Sequence, residues 1–288
     1  MKISLQRRMA KALASSAFFL VTSFIQADAA DLPVVSRGSL DQGFHLLYNL
    51  DFDQAHQVFV SWEHEHPQDP VGPTAEAAGL LFSEFHRLGV LEGQFYEDDR
   101  TFTARRKLNP DPALRDLFNG ALARAQTSAN ARLATSPQDR DALFAMTLTS
   151  GLQADYAALI EKRNMSSLHY TRDAGDWAAK LLAVDPQCYD AHLATGFSKY
   201  IIGSMAAPVR WFLRIGGLAG DKKQGLAELQ LTAEHGRYLG PFARILLAIA
   251  YVRDRDRGRA REVLIALRDE FPQNPLFARE IARLDATH

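Results

Sequence analysis

The sequence predicts an all-α protein made of antiparallel helix pairs, and three observations carry that prediction. Four alanines are each followed twelve residues later by proline and then glutamine: Ala55/Pro67-Gln68, Ala125/Pro137-Gln138, Ala174/Pro186-Gln187 and Ala260/Pro272-Gln273. None of the other prolines precedes glutamine, so the pattern is an internal repeat. Between each alanine and proline, offsets of four and seven hold Phe59 and Trp62, Ala129 and Arg132, Ala178 and Leu181, or Leu264 and Leu267. Beyond these stretches, most of the chain after Ser36 follows the 3.6-residue apolar period, and few segments alternate as strands do.

The 288 residues, 47% of them hydrophobic, suffice for one continuous core. At the N-terminus, Lys2, Arg7, Arg8 and Lys11 precede a mostly apolar stretch, Ala12 to Ile25, and the small-x-small triplet Ala27-Asp28-Ala29. This reads as a secretory signal over residues 1–29, because the apolar run is shorter than the roughly twenty residues that span a bilayer. Residues 30–288 are then one exported helical domain, soluble and periplasmic. No cysteine adjoins the cleavage site, so the chain is not read as a lipoprotein, and Cys188 is the single cysteine and forms no intrachain disulfide. Removing residues 1–29 takes the formal net charge from -1 to -4, and without a basic stripe nucleic acid is not expected as a partner.

Along the mature chain, Gly43 and Ala55, twelve apart, let two helices approach, and Pro67 ends the second. Asp111-Pro112 starts a long helix with the stripe Leu114, Leu117, Phe118, Ala121, Leu122, Ala125, Ala129 and Leu133. A second stripe runs Phe144, Leu148, Leu152, Tyr156 and Ile160, and Gly196 opens a further first helix. Ser204 to Gly220 interrupts the pattern before a helix expected over Lys222 to Tyr238. Leu247, Ala248 and Tyr251 precede Ala260, Leu264 and Pro272, and Asn274 to Leu284 is read as a terminal capping helix.

The Gly43–Pro67 and Leu247–Pro272 patterns resemble the tetratricopeptide repeat, with 37–70 and 241–275 as the clearest units. The resemblance implies a compact, irregular α-solenoid. From Tyr200 onward, Trp211-Phe212-Leu213-Arg214 followed by Gly216-Gly217-Leu218-Ala219-Gly220 and Gly225-Leu226 is similar to the tetratricopeptide repeat protein 39 and inclusion-body-clearance family. That likeness covers about a third of the chain and implies a helical-repeat interaction fold.

In tetratricopeptide folds the first helix of each unit lines the inner face. That resemblance places Phe44, Leu47, Tyr48, Phe197, Tyr200, Ile201, Ile249 and Val252 inward, with Arg210 and Arg214 at a rim and Trp211 beside them. The face is expected either to be filled by the long helices and insertions or to hold an apolar pocket. Trp211 and Phe212 beside the arginines also suit a membrane surface.

No catalytic, cofactor or metal site is expected. His64 and His66 lie two apart and do not share a helix face, and Gly216 to Lys223 lacks a phosphate-binding loop's ending, with Asp221 placed to cap a helix. Ser198, Ser204, Asp190 and His192 supply hydrolase residue types without a nucleophile turn. The acidic groups Asp155/Glu161 and Glu92/Glu97/Asp98 read as solvated helix faces. The sequence therefore points to a non-enzymatic exported scaffold that binds a protein, with a carrier or sensor of a hydrophobic, lipid-like small molecule in an apolar inner pocket as the alternative.

Overall fold

The computed structural model describes residues 39–91, 108–215 and 217–286. The signal expected at 1–29 and the acidic group Glu92, Glu97 and Asp98 lie outside the described residues. Among those described, the chain forms twelve α-helices and no strand. They are α1 (Leu40–Tyr48), α2 (Phe52–Glu65), α3 (Val71–Arg87), α4 (Pro112–Thr135), α5 (Arg140–Asp155) and α6 (Asn164–Val184), then α7 (Leu193–Ser204), α8 (Ala207–Ile215), α9 (Lys222–His235), α10 (Gly240–Arg253), α11 (Arg257–Glu270) and α12 (Pro275–Ala286). A π-turn, Tyr156–Ile160, continues α5, and a 3₁₀ turn, Tyr189–His192, precedes α7. Consecutive helices pack as tetratricopeptide-like pairs, α1 on α2, α4 on α5, α5 on α6, α9 on α10 and α10 on α11.

The Ala/Pro-Gln repeat marks four helix ends of the same construction. α2, α4, α6 and α11 stop two residues before Pro67, Pro137, Pro186 and Pro272. The intervening residues His66, Ser136, Asp185 and Phe271 all take φ between -122 and -136° with positive ψ. A residue before proline is driven out of the helical region by the ring. Each then accepts a backbone bond from three residues on, Asp69, Asp139, Cys188 and Asn274, at 2.9 to 3.1 Å. The four repeat alanines are at most 2% exposed, which is why no larger residue stands there.

Close approach is built from glycine at two seams. A Cβ on Gly43 would lie 2.3 Å from the Phe59 ring, so α1 rests directly on that buried phenylalanine. Between α7 and α9 the contact is backbone to backbone: a Cβ on Gly225 would meet Tyr200 N at 2.4 Å and Gly196 O at 2.6 Å. Glu228 then ties the same helices through Thr195 Oγ1 at 2.6 Å and Lys199 Nζ at 2.5 Å.

Three features differ from the sequence expectation. The segment Ser204 to Gly220 contains a helix, α8. The helix expected to reach Tyr238 ends at His235, because the Asp190 carboxylate accepts the N–H groups of Arg237, Tyr238 and Leu239 and holds them in a turn. Leu117, assigned to an apolar stripe, is 57% exposed. α3 is the most enclosed helix at its start, where Gly72, Pro73, Thr74, Ala75, Ala77 and Ala78 are buried. Small side chains let α2, α4 and α5 press on it from several sides.

The first helix docks on the α9–α10 and α11–α12 turns. Tyr48 Oη donates to Tyr238 O at 2.9 Å, Asn274 Nδ2 donates to Tyr48 O at 2.9 Å, and Gln273 N donates to Asn49 Oδ1 at 3.2 Å. Phe44 stacks on Tyr238 with centroids 4.9 Å apart, and Arg237 makes a two-pronged pair with Asp41. The array is therefore closed, and α1 fills the space where an open solenoid would present a groove.

Candidate functional site

Nine of the eleven expected site residues fall in three places, and Ile249 and Val252, half-buried on α10, fall in a fourth. Phe44, Leu47 and Tyr48 become core, all at most 6% exposed, and burial pushes the Tyr48 phenol far above its ordinary value. Phe197, Tyr200 and Ile201 lie on α7, where Tyr200 is fully buried and donates to Ala250 O and Asp254 Oδ1 at 3.0 and 3.1 Å. Burial, with Asp254 alongside, pushes that phenol up to about 12. Phe197 and Ile201 are half-buried beside it. Arg210, Trp211 and Arg214 stand exposed on α8.

An apolar cavity of about 110 Å³ lies between α1, α3, α10, α11 and α12. Of the expected residues, Leu47, Tyr48, Ile249 and Val252 line it, whereas Phe197, Tyr200, Arg210 and Arg214 do not. Phe82, Phe242, Leu264 and Phe277 complete the walls and were missed from the sequence. A signal for one of them exists: Phe242 continues the stripe Ile245, Ile249 and Val252 on α10. Phe82 meets Phe242 edge to face at 5.1 Å, which joins α3 to this wall. The polar part of the lining is Asn274, Glu280 and Arg283, and Arg283 Nε donates to Glu280 Oε2 at 2.9 Å. The lining thus carries a carboxylate-paired arginine where the sequence suggested Arg210 and Arg214.

A second, polar groove of about 740 Å³ runs between the α2–α3 turn and α4, past Glu63, His66, Asp69, Arg124 and Arg132. Its charges are largely spent within the fold: Arg124 grips Glu63, Arg132 grips Asp139, and Trp62 Nε1 donates to Asp69. His66 stacks on Trp62 at 3.9 Å, and its Nδ1 lies 3.1 Å from Trp62 O. Beneath the groove's edge, Glu76 is 4% exposed with Oε1 2.5 Å from His56 Nδ1, and burial raises its carboxyl above the ordinary value while His56 opposes the shift.

Four of the residues considered for chemistry, Asp190, Ser198, Ser204 and Asp221, are engaged in bonds to the backbone. Ser198 Oγ donates to Thr195 O and Ser204 Oγ to Tyr200 O, the usual back-bonding of helical serines. Asp221 accepts from Gln224 N at 3.0 Å and caps α9. Among the described residues no group of three or more His, Cys, Asp or Glu side chains is placed to hold a metal, and no helix is long and apolar enough to cross a membrane.

No family model matches the chain, and no curated protein matches it. Among solved structures, it is similar to a thermophilic TPR protein of Thermus thermophilus, at 15% identity and a TM-score of 0.44, over 86% of this chain and 100% of that one.

Proposed function

We propose that the chain is an exported, non-enzymatic, tetratricopeptide-like scaffold that binds a protein partner, one apolar side chain of which enters the cavity beside Ile249 and Val252. The observation that carries this reading is the size and lining of that cavity. At about 110 Å³ it is well short of the roughly 300 Å³ at which small-molecule pockets begin, and comparable with a single aromatic ring. That volume suits one inserted side chain better than an acyl chain. The Glu280–Arg283 pair in the lining is better matched to the polar backbone flanking an inserted side chain than to an anionic head group. The likeness of the C-terminal third to the tetratricopeptide repeat protein 39 family adds the expectation of protein interaction, and the basic, apolar, small-residue start of the sequence supports export to a periplasm.

The test is a proximity-labelling comparison in cells between the wild type and Val252→Trp, which fills the cavity from a half-buried position. A partner labelled by the wild type and lost with Val252→Trp, while Leu117→Ala at an exposed position of α4 retains it, supports the reading. Equal labelling by all three contradicts it. Native mass spectrometry decides against the carrier alternative if the purified protein carries no added mass, and in favour of it if a co-purified small molecule is displaced by Val252→Trp.

A further inference from the structure

The strongest unexplained surface is on α8. This helix is defined at both ends, with Pro208 in its first turn and a closing turn in which Leu218 N donates to Leu213 O and Gly217 N to Arg214 O. Gly217 takes φ +85°, the left-handed conformation that this ending requires. A well-formed helix with an apolar face normally buries it. Yet Trp211 and Ile215, four apart on one face, are each 67% exposed. Arg210 and Arg214 flank them, also exposed.

A second element meets the end of α8. The Cδ of Arg172 on α6 lies 3.6 Å from where a Cβ on Gly217 would sit, so α6 passes against the end of α8. One helical stripe of α6 runs Met165, His169 and Arg172, all exposed, and Met165 at 79% is the most exposed large apolar residue described. Arg163 lies exposed at its start.

Charge separates this region from the rest of the chain. Acidic residues number 34 against 33 basic ones, yet neither Lys162–Arg172 nor Ala191–Gly220 contains an aspartate or glutamate. In sequence, acids border these stretches, where Glu161 pairs with Arg163, Asp173 with His169, and Asp221 caps α9; in space, Glu228 and Asp254 meet Thr195, Lys199 and Tyr200 on α7 and not the residues of α8.

We propose that α8 and the start of α6 form one docking face for an anionic phospholipid surface. Trp211, Ile215 and Met165 enter the boundary between head groups and acyl chains, and Arg163, Arg172, Arg210 and Arg214 meet the lipid phosphates. An indole suits that depth because its body is apolar and its N–H is polar. These side chains protrude, and neither cavity described above is lined by any of them, which fits a deformable surface better than a peptide needing a groove. Such docking is independent of the partner cavity, which α8 does not line.

The test uses the full chain with vesicles of phosphatidylcholine and phosphatidylglycerol (7:3), against vesicles of phosphatidylcholine alone. The N-terminal apolar segment contains no tryptophan, so the fluorescence difference between wild type and Trp211→Phe reports α8 itself. The expected result is a blue shift and protection from iodide for Trp211 on the anionic vesicles only. Replacing both Arg210 and Arg214 by glutamate weakens the response at least about 25-fold, at roughly fivefold per arginine near the surface. Met165→Glu weakens it as well. All these positions are exposed, so an unchanged melting temperature verifies folding of each variant. An unshifted Trp211, an equal shift on neutral vesicles, or full insensitivity to Met165→Glu overturns the proposal. A Trp211 that ignores vesicles but shifts with polyglutamate also overturns it, and assigns the face to an acidic protein.

Discussion

The side-chain amide of Asn274 donates to the main-chain carbonyl of Tyr48 at 2.9 Å, a bond between residues 226 apart in sequence. The same side chain accepts from Leu276 N at 3.0 Å, so it starts α12 and ties it to α1 at once. Asn274→Ala leaves the Tyr48 carbonyl buried and unpaired and removes the cap. It is expected to cost about 1–3 kcal/mol, read as a lower midpoint in urea unfolding.

Gly43 against Phe59 is the second decisive contact. Gly43→Ala is expected to destabilise by about 1–3 kcal/mol through overpacking. Shortening the ring in Gly43→Ala/Phe59→Leu should recover part of that loss relative to the two single changes, and a double-mutant cycle measures the coupling. Gly151→Ala, on α5 with no atom near its Cβ position, should instead be neutral or stabilising by up to about 1 kcal/mol. Equal effects at Gly43 and Gly151 would refute the close-approach account.

Lys199 and Glu228 form the ionic link across the α7–α9 seam. Lys199→Ala strands a mostly buried carboxylate with only Thr195 and Gln224 to bond it, and should cost more than the double change Lys199→Met/Glu228→Leu. Thermal unfolding of the two variants checks the order.

Asp155 is pushed up to about 7 by burial. The unfolded chain gives up that proton near the ordinary value of 3.8, so between about pH 4 and pH 7 the unfolded state holds fewer protons and stability falls as pH rises. Above about 7 the effect is complete. Asp155→Asn should remove this component, leaving a variant that gains on the wild type as the pH is raised from 5 to 8. A constant difference over that range would show an ordinary carboxyl.

The sequence made the helix ends and the two outer repeat units readable because proline and small-residue spacing act locally. Ala55, Phe59, Ala260 and Leu267 lie where the offsets place them. Closure was not readable, since nothing local marks Tyr48 and Asn274 as partners. Tyr48 and Tyr200 carry the same signature, an aromatic on a first helix, whether they line a groove or fill a core. For Tyr48 the packing of α1 against α10 to α12 decides, and for Tyr200 its bonds to Ala250 and Asp254. Buried Glu76, Glu84 and Glu228 likewise look like solvated helix charges until His56, Arg87 and Lys199 are seen to meet them. α8 went unread because Pro208, in its first turn, and the glycines after Ile215 look like a break in the helical pattern.

Hydrogen exchange on Asn274→Ala tests closure most directly. In a closed array, the amides of α1 should lose protection together with those of α11 and α12, and by more than those of α4 to α6. If protection falls at α11 and α12 while α1 keeps the wild-type rates, the first helix does not rest on the α11–α12 turn and the closed array is contradicted.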